Sequence, residues 1–190
     1  MKHVLGLFRD KESADAALKG IMDLGYTKDD ISVIARHGEV RIEEKEESVS
    51  GDMAASGAGG GAIVGGLAGL LVGVGALAIP GLGPIVAAGP IVTALTTIAA
   101  GTGLGAAAGG ILGALMGLGV TREEAEIYAE GIKRGGIVMA IQAKDDDVAG
   151  VEDAMRSAGA EDISERRMEW EEQGWEGFEE TPPTEETPRF

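Results

Sequence analysis

The sequence predicts an α+β fold, a ferredoxin-like split βαβ domain with an inserted Gly/Ala-rich apolar helical hairpin and an acidic C-terminal tail. Three observations carry this expectation. Strand-like and amphipathic helical segments alternate at both ends of the chain, and the first and last of these units echo each other. Between them, 69 consecutive residues from Met53 to Thr121 contain no Asp, Glu, Lys, Arg or His. The divisions are 1–52 (βαβ and a linker), 53–120 (the hairpin), 121–167 (an αβαβ second half) and 168–190 (the tail).

The first half reads simply. "HVLGLF" (3–8) is a buried strand, and Asp10 caps a helix whose apolar positions are Ala14, Ala17, Leu18, Ile21 and Leu24, stopped by Gly25. "ISVIAR" (31–36) is the next strand, and "EEKEE" (43–47) is a solvated linker. After the insert, Thr121 and Glu124 form the T-x-x-E capping box of a helix carrying Ala125, Tyr128 and Ile132 and ending at Gly135 and Gly136. "IVMAIQA" (137–143) is a strand, Asp145 to Asp147 cap a helix carrying Val148, Val151, Met155 and Ala158, and "DISERR" is expected as the last strand. Setting Gly25 on Gly159 aligns the two outer helices, and "DDIS" recurs as "EDIS". Such an internal repeat fits two half-domains with an insertion between them, both ends of which would lie on one side.

The insert sets glycine at helical spacing. Gly57, Gly61, Gly65, Gly69 and Gly73 recur every fourth residue, and so do Gly101, Gly105, Gly109, Gly113 and Gly117. Each interior glycine costs a helix about 0.8–1.0 kcal/mol relative to alanine, so five forfeit roughly 4–5 kcal/mol in water. In hydrocarbon an unpaired backbone group costs several kcal/mol, and helix satisfies them all locally. Helices over 57–79 and 91–118 are long enough for tilted crossings of a bilayer core. Pro80, Pro84 and Pro90 remove donors and mark the hairpin tip. The glycine stripes allow close backbone approach, either between the two runs or between copies.

Composition excludes several chemistries. With a formal net charge of -16 the chain repels nucleic acid, and without cysteine it has neither disulfides nor thiolate catalysis. The N-terminal residues lack the apolar core of a signal peptide, which points to the cytoplasmic side. No Walker sequence occurs, and Gly57-x-Gly59 and Gly81-x-Gly83 lack the strand, helix and acidic residue of a dinucleotide site. His3 and His37 are the only histidines and have no carboxylate at ligand spacing, so neither a metal nor a cofactor is expected. No nucleophile has a base within reach. In the tail, Trp170, Trp175, Phe178 and Phe190 stand among acidic residues and prolines, a composition that orders only by docking. The expected surface is the chain's own domain or a sister subunit; a second protein and a membrane interface are the alternatives.

The order βαβ, then "ALAIPGLGP", then "GLGVTREEAEIYAEGIKRGG" and the "EDIS" end resembles the bacterial general stress protein family, whose members are labelled heat-induced or low-temperature-induced stress proteins. The likeness runs to about Arg167. It implies a stress-associated, membrane-associated protein of unassigned activity, and no catalytic residue. Residues and resemblance together lead to the expectation of a non-enzymatic protein of the cytoplasmic membrane. Its α/β domain would face the cytoplasm, and it would self-associate through its glycine runs, with lipid and other copies as partners. Rival readings are a soluble homo-oligomeric shell or particle with the insert buried inside, an oligomeric pore, and a small-molecule sensor suggested by fold analogy alone.

Overall fold

The computed structural model describes residues 1–38, 66–67, 77–79, 82–92 and 110–178. Within them the chain forms β1 (Lys2–Phe8), α1 (Lys11–Asp23), β2 (Ile31–Arg36), β3 (Leu77–Ile79), β4 (Gly83–Ala88), α2 (Gly110–Met116), α3 (Arg122–Lys133), β5 (Ile137–Ala143), α4 (Val148–Ser157) and α5 (Ile163–Glu172). The five strands make one antiparallel sheet in the order β1-β5-β2-β4-β3. β1 and β2 are joined through α1, yet β5 lies between them.

Local sequence explains most elements. Asp10 accepts the Ser13 N–H at 2.9 Å to start α1, whose Ala14, Ala17, Leu18 and Ile21 are buried. Leu24, expected on that face, instead falls after the last helical turn and is 52% exposed. At α3 the Thr121 hydroxyl receives the Glu124 N–H at 3.2 Å, while the Glu124 carboxylate takes the Thr121 N–H at 2.8 Å, a complete capping box. Asp147 occupies the N-cap of α4 without a capping hydrogen bond from its side chain; its carboxylate instead receives the Tyr26 hydroxyl at 3.4 Å.

Both faces of the sheet are covered, so the strands read as nearly continuous apolar runs. On one face Val4, Phe8, Val33, Ile137, Met139 and Ile141 pack under α1 and α4. On the other, Leu7, Ile34, Ile85 and Val138 pack under α2 and α3 together with Trp170 and Phe178. α3 comes close enough to β1 that a Cβ on Gly131 would stand 2.7 Å from the Leu7 side chain.

Several expectations are corrected. The segment carrying Pro84 and Pro90 is no tip of a helical hairpin: 77–79 and 83–88 are antiparallel strands, and β4 pairs in turn with β2. β-branched Ile79, Ile85 and Val86 and the glycines of the turn favour strand there. Pro84 sits just beyond the end of the β2 register, where its carbonyl accepts the His37 N–H at 2.9 Å and no ladder donor is lost. Pro80 lies outside the described residues. A single helix over 91–118 is also corrected, because Gly110 has a φ of +34°, which a continuous α-helix does not contain. Within the insert, Leu67 is buried on the α1 face of the sheet, and Ile111, Leu112 and Leu115 on the opposite face.

"DISERR" is helix rather than strand. Asp162 accepts the Ser164 and Glu165 N–H groups, which starts α5, and spaced pairs such as Arg167–Glu171 at 2.7 Å support it. Just before this helix, Glu161 makes an isolated antiparallel bridge with Leu7.

Candidate functional site: the open edge of β1 and the anchored insert

An open groove of about 670 Å³ runs along the outer edge of β1. Lys2 to Gly6 form its floor, Val148, Glu152, Met155 and Arg156 of α4 one wall, and Glu124 and Tyr128 of α3 the other. Glu161 to Ile163 close one end. It lies where a strand following α4 would have continued the sheet.

The polar groups of this groove are mostly held in structural roles. Tyr128 donates its hydroxyl to the Leu5 carbonyl at 3.3 Å, and burial, with the Glu124 carboxylate adding to it, pushes its phenol well above the ordinary tyrosine value. Glu161 receives Arg9 and Arg166, both at 3.0 Å. Asp162 and Glu124 are committed to their caps. His3 is exposed at the floor, and among the described residues no group of three or more His, Asp or Glu stands close enough to hold a metal ion.

The insert is tied to the domain at separate points. Asp15 on α1 accepts the Leu67 N–H at 2.7 Å while its other oxygen takes Lys11 Nζ at 2.8 Å. The hydroxyl of Ser32, buried in β2, accepts the Ile91 N–H at 3.2 Å. Of the glycine stripes, Gly57, Gly61, Gly65, Gly69, Gly73, Gly101, Gly105 and Gly109 lie outside the described residues. Gly113 is exposed on α2, with nothing within 4 Å of where its Cβ would be. Gly117 lies in the turn after α2, against the Ala114 carbonyl.

The aromatic cluster sits at the C-terminal end of α3. Trp170 projects from α5 and is buried; Trp175 meets it edge to face, with ring centroids 5.9 Å apart. The Arg134 guanidinium lies 4.7 Å over the Trp170 ring and Lys133 Nζ 5.7 Å over Phe178. Both cations converge on Glu130, a buried carboxylate, at 2.8 Å (Arg134) and 3.5 Å (Lys133). Sequence reasoning missed Glu130. Its signal was a cation three and four residues further along a helix, at Lys133 and Arg134.

No long apolar helix capable of crossing a membrane occurs among the described residues. Comparison with protein-family models, with curated proteins and with solved structures finds no match.

Proposed function

We propose that this is a non-enzymatic, self-associating protein in which a rigid α/β body presents the glycine runs of its insert to other copies. The body follows a ferredoxin-like plan: β5 splits the β1-α1-β2 unit, α4 follows it, and the fourth strand is reduced to the Leu7–Glu161 bridge. The insert then occupies the β2 to β5 connection and contributes β3 and β4 to the sheet edge. The stress-associated setting implied by the family resemblance belongs to the same proposal.

The anchoring of the insert is the observation that carries it. Leu67, β3, β4, Ile91 and α2 all pack on one sheet. Only nine residues separate Leu67 from Leu77 and seventeen separate Val92 from Gly110. As helix those lengths reach about 14 and 26 Å, less than the roughly 30 Å of a hydrocarbon core. Such tethers favour burial between copies over two complete crossings. The non-enzymatic reading is supported by Glu124, Asp162 and Glu161 of the groove, which are spent on caps and ion pairs.

A second reading, insertion of the runs into a bilayer as the assembly forms, is favoured by the 69-residue charge-free stretch. One experiment addresses both. Gly65, Gly69, Gly105 and Gly109 are replaced together by leucine in the full-length protein, and its mass is measured by light scattering. Wild-type and variant membranes are also washed at alkaline pH. The proposal expects release by the wash and a smaller particle for the variant. A native-size particle refutes the glycine interface, and retention in the washed membrane moves the runs into lipid.

A further inference from the structure

β1 is an edge strand whose outer side is only partly used. The Leu7 carbonyl accepts the Glu161 N–H at 2.8 Å and the Leu5 carbonyl accepts the Tyr128 hydroxyl, so both groups point away from β5. Alternate residues of an antiparallel strand turn their N–H and C=O to the same side, which places those of His3 outward as well. Among the described residues no strand pairs with β1 between Lys2 and Gly6 on that side. The edge carries neither proline nor bulge, two of the devices that discourage pairing, and its one lysine, Lys2, lies at its end.

We infer that this edge pairs with β1 of a second copy, antiparallel about a two-fold axis near Val4, so that two sheets become one. The interface is separate from the glycine runs. An axis at Val4 sets His3 opposite Leu5 of the second copy and Lys2 opposite its Gly6, which uses the outward groups of His3, the Leu5 N–H and the second lone pair of the Leu5 carbonyl, and stops short of Leu7, already bridged to Glu161.

Charge on the groove wall favours this occupant. α4 follows β5 and so runs alongside β1 in the same direction; its flank of Val148, Glu152 and Arg156 lines the groove. A two-fold axis reverses the second copy's α4. Arg156 of one copy then approaches the acidic N-terminal half of the other's α4, with Glu152 and the Asp145 to Asp147 turn, and the exchange occurs twice. Glu152 has no ion pair among the described residues, and Arg156 pairs there only with Asp153, an exposed neighbour on its own helix. The wall is self-complementary under the operation that pairs the strands.

A chain without cysteine gives a clean test. Single variants His3→Cys, Val4→Cys and Leu5→Cys are made in the full-length protein, with Lys19→Cys on the exposed side of α1 as control. Residues directly opposed across an antiparallel pair have Cβ atoms about 4.5–5.5 Å apart, close to disulfide geometry. Mild oxidation is expected to convert Val4→Cys largely to a linked dimer, well above the control. Arg156→Glu in the same background is expected to weaken dimerisation about tenfold. An equimolar mixture of His3→Cys and Leu5→Cys, whose cysteines oppose each other in the mixed dimer, and Arg156→Glu keep the test open if Val4→Cys folds poorly. Cross-linking that persists when the glycine runs carry leucine supports a separate edge contact, and its loss there refutes one. Linkage no greater than the control both for Val4→Cys and for the mixture of His3→Cys with Leu5→Cys overturns the pairing, as does an Arg156→Glu dimer of unchanged affinity. An added basic extended peptide that binds the monomer in place of a second copy overturns the choice of occupant.

Discussion

Replacing Gly89 by alanine tests whether the β-hairpin inside the insert is an integral part of the sheet. Gly89 follows β4 with a φ of +84°, and a Cβ there would press well inside contact distance on the Ile31 carbonyl oxygen and stand 2.8 Å from Ser32 Cα. Two effects add. The left-handed backbone costs alanine about 1–2 kcal/mol. Opening a packed strand interface to admit the methyl group costs about 1–3 kcal/mol more. The sum is about 3 kcal/mol, against a total stability of roughly 5–15 kcal/mol for a domain. At roughly 2–4 °C per kcal/mol for a protein of this size, Tm should fall by about 6–12 °C. Gly83→Ala is the internal control: its φ is +80° but nothing lies within 4 Å. It should lose only the backbone contribution, about 1–2 kcal/mol. Urea unfolding and calorimetry of the purified full-length variants measure both. Equal losses at the two positions would refute the seating of Gly89 against β2.

Thr121→Ala removes one arm of the α3 capping box and should lower stability by about 1 kcal/mol in urea unfolding. Trp170→Ala should cost about 3–5 kcal/mol, and loss of the Trp170 signal should leave the redder emission of Trp175, the second of only two tryptophans. Tyr128→Phe forfeits the hydrogen bond to Leu5, about 1 kcal/mol at neutral pH. Because the fold raises the Tyr128 phenol above its ordinary value, its contribution is complete below about pH 10 and is lost as pH climbs towards the raised value. The alkaline decline in urea midpoint should therefore be shallower in Tyr128→Phe than in the parent. Gly113→Ala adds a better helix former at an open site and should raise thermal stability by up to about 1 kcal/mol.

Those residues also show what the sequence made legible. Caps and apolar spacing located β1, α1, β2, α3, β5 and α4, because each of these signals is local: Asp10 and Thr121 bond within their own first turn, and Ala14, Ala17, Leu18 and Ile21 share one helical face. Burial of both sheet faces was not legible. A strand such as "ISVIAR" has the same composition whether its second face meets lipid, a copy or α3. The β3–β4 hairpin was missed because Gly, Ala and Pro punctuation inside an apolar run is common to helix breaks and tight strand turns, and β4 is specified by a distant partner, β2. At "DISERR" the echo of "DDIS" outweighed Asp162 and Glu165, the cap signature of a helix. The groove along β1 exists because of that difference.

The position of β5 has a consequence for biosynthesis. The sheet cannot close around β1 and β2 until Ile137–Ala143 has left the ribosome, and 100 residues separate Arg36 from Ile137. At typical elongation rates that interval lasts roughly 5–20 s. As it emerges during that interval, the charge-free middle has no central strand to organise either face. The order of the strands thus leaves each new molecule's apolar middle open to association until its central strand emerges.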